Sequence, residues 1–189
     1  YQKIIFQTKK SEKKWMSLMK KLNLSLFSLL IFLLFSIVSH SSEKIILGNA
    51  KVIDGDTIKI DKKKIRLFGI DAPEKKQLCK KIFLNFLFLS FEKKYPCGQI
   101  STQKLKNLIN NEIIKCYVEG KDRYKRKLAI CFRNKLNINS WLVRNGYAVS
   151  YKKYSKKYLS EEIEAKNDKI GIWQGEFEMP WDWRKNVKK

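Results

Sequence analysis

Two short stretches hold the side chains best suited to chemistry. In VIDGDTIKI, Asp54 and Asp56 flank Gly55; in IRLFGIDAPE, Arg66 leads an apolar run that ends in Asp71, Ala72, Pro73 and Glu74. Pro73 fixes φ and lacks an amide hydrogen, so a strand through Ile70 must stop there, leaving Asp71 at its end and Glu74 just past the corner. Gly55 permits a tight turn, which puts Asp56 at a second strand end. Asp56 and Asp71, with a backbone carbonyl and waters, make an oxygen site for calcium, with magnesium as second choice, and leave positions open for a phosphate. Glu74 is then free to act on a water. DGDT alone reads as a solvated turn, and it is the second acidic pair that raises it to a site.

Arginine is the scarcer cation, six against 35 lysines, so an arginine near these acids is informative. Its planar fork grips a phosphate through two hydrogen bonds, which a lysine cannot do. Arg66 opens the acid-bearing stretch, and Arg126 closes the turn-like DRYKR; for either, the bland alternative is a surface ion pair.

The elements that must position these groups follow from pattern. Residues 45–70 read strand, turn, strand, with apolar alternation at Ile58, Ile60, Ile65 and Leu67, as in the start of an antiparallel sheet. Residues 78–98, LCKKIFLNFLFLSFEKKYPCG, form an apolar insertion whose core is too short to span a membrane and which is expected to pack on the domain, with contact to a partner as the alternative. Ser101 is expected to cap a helix running to Asn110, Asn139 to cap a second helix closed by Gly146, and a third to lie near residues 160–169. The fold class is α+β, mainly β with helices. Five short strands with about three helices fit an OB-type barrel, and a mixed α+β sheet fits the pattern nearly as well.

Cys116 and Cys131 lie in apolar segments either side of GKDRYKRK. If these segments pair antiparallel about the centre of that turn, residues 116 and 131 face each other, and a cross-strand bridge follows. Cys79 and Cys97 then close the other bridge; the alternative is four buried thiols. Two disulfides imply an oxidising compartment. The cysteines lack zinc-type spacing, and the single histidine, His40, sits at the exit of the N-terminal export signal, which argues against zinc and histidine chemistry.

Residues 1–41 read as an N-terminal extension and export signal, with Lys20 and Lys21, an apolar run over 22–38, and small residues at Ser39 and Ser41. An uncleaved membrane anchor is the alternative. Setting residues 1–39 aside removes seven Lys and one Glu from a formal +23 and leaves +17. Such a field favours polyanions, nucleic acid first and anionic membrane second, although a chain-wide lysine bias contributes.

In their order, VIDGDTIKI, IRLFGIDAPE, KDRYKRKLA and INSWLVRNGYA make the chain similar to the thermonuclease, or staphylococcal nuclease-like, family over roughly residues 45–184. The resemblance implies an OB-fold barrel over residues 42–189 and calcium-dependent hydrolysis of DNA and RNA to 5'-hydroxyl and 3'-phosphate ends. It implies calcium ligands at Asp56, Asp71 and the Ala72 carbonyl, a general base at Glu74, phosphate-binding arginines at Arg66 and Arg126, and a supporting role for Asp54. Tyr124 and Tyr151 are weaker candidates for substrate contacts. Three departures stand out: Ala72 where Thr is more usual, Lys125 where Gly often precedes the second arginine, and the insertion after Gln77. If the turn needs positive φ, Lys125 carries a strain of about 1–2 kcal/mol.

The resulting expectation is a monomeric nuclease, secreted or periplasmic, acting on DNA and RNA without an obligate protein partner. The competing reading, from a different functional class, is a catalytically silent domain that binds nucleic acid or an anionic surface through its lysines.

Overall fold

The computed structural model describes residues 44–86 and 89–187. The expected export signal lies outside them. The first long strand, β1 (Ile45–Asp54), turns at Gly55 into β2 (Thr57–Ile60), which turns again into β3 (Lys63–Leu67). These pair antiparallel in sequence order, with Ile58 opposite Ile65 and Val52 opposite Ile58. On its other edge β1 pairs antiparallel with β7 (Ile113–Lys121), which pairs with β8 (Lys127–Arg133). Parallel pairing of β3 with β8, Arg66 beside Leu128, closes the ring. The result is the expected closed five-stranded mixed barrel of the OB type, with β9 (Leu136–Asn137) added on β8.

Closure explains the burial pattern. Ile58, Ile60, Ile65, Leu67, Ile114 and Ala129 point inward and are fully or almost fully buried, as alternation around a small barrel demands. Three helices flank it: α1 (Cys97–Ile109), α2 (Ile138–Arg144) and α3 (Leu159–Asn167). A two-residue ladder joins β4 (Ile70–Asp71) to β10 (Val149–Ser150). A 3-10 turn at Gly171–Gln174 precedes α4 (Pro180–Asn186), a fourth helix among the described residues where about three were expected.

Both expected disulfides form. Cys116 and Cys131 are direct cross-strand partners at Cα–Cα 4.0 Å, and Cys79 and Cys97 lie 5.6 Å apart. The pairing about the centre of the 122–126 turn therefore holds as the sequence predicted.

Two local expectations need correction. Ser101 lies inside α1, not at its cap: the helix starts after Pro96, and the Ser101 hydroxyl donates to the Tyr147 carbonyl at 2.5 Å. Asn137, not Asn139, caps α2, accepting from Ser140 N at 3.1 Å. Asn139 is instead fully buried, accepting from Cys131 N at 3.1 Å and donating to the Phe68 carbonyl at 3.0 Å. It thereby staples the β3–β4 turn to β8, which local sequence could not reveal.

The insertion packs on the domain at its root, as expected, while Ile82, Leu84 and Phe91 along it are exposed. It forms a separate antiparallel hairpin, β5 (Cys79–Phe86) and β6 (Leu89–Tyr95), and residues 97–98 already belong to α1. Its root is fixed by the Cys79–Cys97 bridge within a cluster of Val149, Ile172, Tyr95, Trp173 and Phe177.

Candidate active site

The DGDT turn is built for close approach. A Cβ on Gly55 would lie 2.8 Å from the Ala72 Cβ and 2.6 Å from the Ser101 hydroxyl. Glycine is therefore required there by packing against the acid-bearing corner, a different reason from the positive φ of a tight turn. Asp54 accepts from Asp56 N at 3.1 Å and so shapes the turn. Asp56 is almost completely buried, and its second oxygen accepts from Ala72 N at 2.8 Å, tying the two acidic segments together.

Asp71 is held by its ladder partner Val149 and is fully buried. Arg66 bridges the two acids: it ion-pairs with Asp56 and places its other terminal nitrogen 2.5 Å from Asp71. Both carboxylates therefore converge on one positive charge. Burial pushes both carboxyls up from the usual carboxylate range, against the pull of Arg66 on Asp56 and of Arg184 on Asp71. Burial alone would lower the Arg66 guanidinium, but the neighbouring acids raise it.

Arg184, from α4, is the residue the sequence reading missed. Its guanidinium meets Asp71 at 2.7 and 3.1 Å and Glu74 at 2.8 Å. The signal was present but weak: an arginine, the rarer cation, in the aromatic stretch PWDWRK.

Glu74 is positioned by its backbone. Its amide donates to Gln77 Oε1 at 3.1 Å and its carbonyl accepts from Gln77 N at 2.7 Å. Gln77, fully buried, donates onward to the Glu178 carbonyl at 2.6 Å, just before α4. A Cβ on Gly98 would lie 1.7 Å from the Glu74 carbonyl oxygen, so α1 can back this corner only through glycine.

Arg126 is not ion-paired with Asp56 or Asp71. It precedes Lys127, the β8 neighbour of Ile65 on β3, and its Nε donates to Asp122 Oδ2 at 2.6 Å. Asp122 also accepts from the amides of Tyr124 and Arg126, each at 2.9 Å, and so organises the whole turn. Lys125 adopts φ +63°, the left-handed conformation its departure from Gly made doubtful. The exposed Tyr124 ring lies under Arg123 and Arg126, with guanidinium carbons 4.8 and 5.7 Å from its centroid. Tyr151 follows β10, donates its amide to the Gly69 carbonyl at 2.8 Å, and stacks on Trp181 at 5.3 Å.

Among the described residues no three His, Cys, Asp or Glu side chains cluster as metal ligands. Two buried carboxylates converging on one cation nevertheless fit a hard divalent ion, with the rest of its shell left to a carbonyl and water.

This arrangement coincides with a family pattern: residues 64–175 match the model of the staphylococcal nuclease homologues. The chain belongs to that family. An uncharacterized endonuclease of Haemophilus influenzae is 34% identical over 167 residues, 84% of each chain. The succinoglycan biosynthesis protein ExoI of Rhizobium meliloti is 34% identical over 69% of this chain and 66% of its own length. A probable staphylococcal-like nuclease of rice, CAN3, is 33% identical over 70% of this chain and 31% of its own length. For a staphylococcal nuclease homologue, the matched span takes in Arg66, Asp71, Glu74 and Arg126 but stops short of Arg184.

Proposed function

We propose that the chain is an exported calcium-dependent nuclease that hydrolyses phosphodiester bonds of DNA and RNA to 5'-hydroxyl and 3'-phosphate ends. The observation that carries this reading is the convergence of Asp56 and Asp71 on one cation, with Glu74 joined to the same cluster through Arg184. Membership of the family and its likeness to proteins named as endonucleases support the reaction class. Two disulfides and the apolar segment at 22–38 support export to a secreted or periplasmic location.

Asp56, Asp71 and the Ala72 carbonyl would hold calcium, which when bound supplies a hard positive charge beside the phosphoryl oxygens. The remaining steps belong to the chain's own groups. Arg66 grips a non-bridging oxygen of the scissile phosphate, and Arg126, presented by Asp122, grips another; both offset the negative charge that grows as water attacks. Glu74 accepts a proton of that water as its oxygen bonds to phosphorus, the P–O5' bond breaks, and the 5'-oxygen leaves as a hydroxyl after taking up a proton from solvent. Tyr124 and Tyr151 would offer surfaces for sugar or base. The lysine-rich exterior draws the polyanion in.

The test is digestion of plasmid and of structured RNA by the full chain with calcium, magnesium or chelator, beside Glu74→Gln. The proposal expects cleavage with calcium, its loss on chelation, and a drop of about 100-fold or more in turnover for Glu74→Gln with DNA binding retained. Salt-sensitive binding without cleavage under any divalent ion would instead make the chain a silent nucleic-acid-binding domain.

A further inference from the structure

We propose that the β5–β6 hairpin docks the protein onto an anionic lipid bilayer. Hydrophobic and basic side chains are layered along it. Lys80, ion-paired with Glu92 and Glu176, faces Lys94, and Lys81 faces Lys93 across the two strands; beyond them Ile82 faces Glu92 and Leu84 faces Phe91. Ile82, Leu84 and Phe91 are 47%, 50% and 45% exposed, and Leu78 at the root is 55% exposed. From the sequence, residues 82–91 read IFLNFLFLSF, without a charge, whereas residues 75–94 carry six lysines against one acid, Glu92. Exposed Ile82, Leu84 and Phe91 beyond a lysine-rich root match the order of hydrocarbon and anionic headgroup met on entering a leaflet.

The dimensions agree. From Lys81 to Phe86 the strand advances about 17 Å, close to half of a hydrocarbon core of about 30 Å. The root is stiff enough to bear the load. Cys79 is bridged to Cys97, Lys80 N donates to the Glu176 carbonyl at 2.8 Å, and the backbone at Gly175 packs so closely on Lys80 that a Cβ there would lie 2.4 Å from the Lys80 carbonyl oxygen.

A second copy of the chain is a poorer occupant. Edge-to-edge pairing of two hairpins would bring the lysine pairs of one against those of the other, the usual device by which edge strands avoid each other. Anionic headgroups satisfy Lys81, Lys93 and Lys94, since each basic residue near such a surface strengthens binding several-fold.

The experiment uses the full chain. Because the apolar run at 22–38 can bind lipid by itself, the readout must be local to the hairpin. An environment-sensitive fluorophore is attached at Leu84→Cys and, as a control, at Ile163→Cys, an exposed position on α3. Vesicles of phosphatidylcholine with or without phosphatidylglycerol are added, carrying nitroxides at known depths of the acyl chain. The proposal expects emission at 84 to rise at least about threefold with anionic vesicles and to be quenched by acyl-chain nitroxides, with position 163 unchanged. Lys93→Gln with Lys94→Gln lowers this partition by about tenfold or more. Retained nuclease activity shows that each variant has folded. The proposal is overturned by an equal response at both positions, by no preference for anionic lipid, or by association of the hairpin probe with a second protein copy in place of vesicles.

Discussion

Lys125→Gly tests the turn that presents Arg126. Lys125 sits at φ +63°, with its side chain exposed and its amide donating to the Asp122 carbonyl at 3.0 Å. An L-residue in this conformation is strained by about 1–2 kcal/mol, which glycine relieves. Glycine also gives the unfolded chain more freedom, which costs about 0.4–1 kcal/mol. The difference is a gain of about 1 kcal/mol, or a rise of about 2–4 °C in Tm for a chain of this size. Urea unfolding with both disulfides intact measures it, with Lys125→Ala as the control that removes the same side chain and keeps the strain. Because the Asp122 bonds to Arg126 remain, KM for DNA should be unchanged. If the glycine variant were no more stable than the alanine variant, the strain assigned to this position would be absent and the argument wrong.

Three other outcomes follow from the same structure. Arg184→Gln removes a guanidinium that is about one-third exposed from Asp71 and Glu74; discounting for solvent leaves about 1 kcal/mol, so calcium should bind about fivefold more tightly by calorimetry while kcat falls, and unchanged affinity would remove Arg184 from the site's electrostatics. Glu162 is buried, and although burial would raise its carboxyl, hydrogen bonds from Lys166, Ser150 N and Lys152 hold it below its usual value of 4.5. Its contribution is therefore present above pH 4.5 and lost as pH falls through the lowered value, so Glu162→Gln should cost about 2 kcal/mol at pH 7 and progressively less in acid; a gap that is constant with pH would contradict this. Removing the Cys116–Cys131 bridge by paired alanines should cost about 3 kcal/mol for its 15-residue separation, read from urea midpoints.

What the sequence revealed was what local chemistry decides. Pro73 stops β4 and leaves Asp71 at its end, and the centre of the 122–126 turn sets Cys116 against Cys131. What it hid depended on residues distant in the chain. Asn139 precedes an apolar run and so reads as a cap, yet its amide bridges segments that only barrel closure brings together. Arg184 lies 110 positions from Glu74, its partner. Pro180 at the first turn of α4, with Asp182 behind it, was a helix start signal that could have been used. The insertion misled for another reason. Apolar composition argues for burial, but composition cannot say that strand pairing would leave Ile82, Leu84 and Phe91 exposed.

The three arginines of the candidate site share one arrangement: each is placed on a carboxylate. Arg66 rests on Asp56 and Asp71, Arg184 on Asp71 and Glu74, and Arg126 on Asp122. Three acids and two guanidiniums leave the inner cluster with a formal charge of about −1 at neutral pH, inside a chain whose formal charge is +23. A divalent ion turns that local charge to about +1, and the same ion competes with Arg66 and Arg184 for the carboxylate oxygens. Guanidiniums displaced from carboxylates are the donors a phosphodiester needs, with bidentate geometry already matched to its oxygens. Cation and phosphate should therefore favour each other's binding through the arginines, and by linkage the coupling must be equal in both directions. The lysines can draw a polyanion from a distance, but only these counter-ion arginines can make its grip depend on the ion.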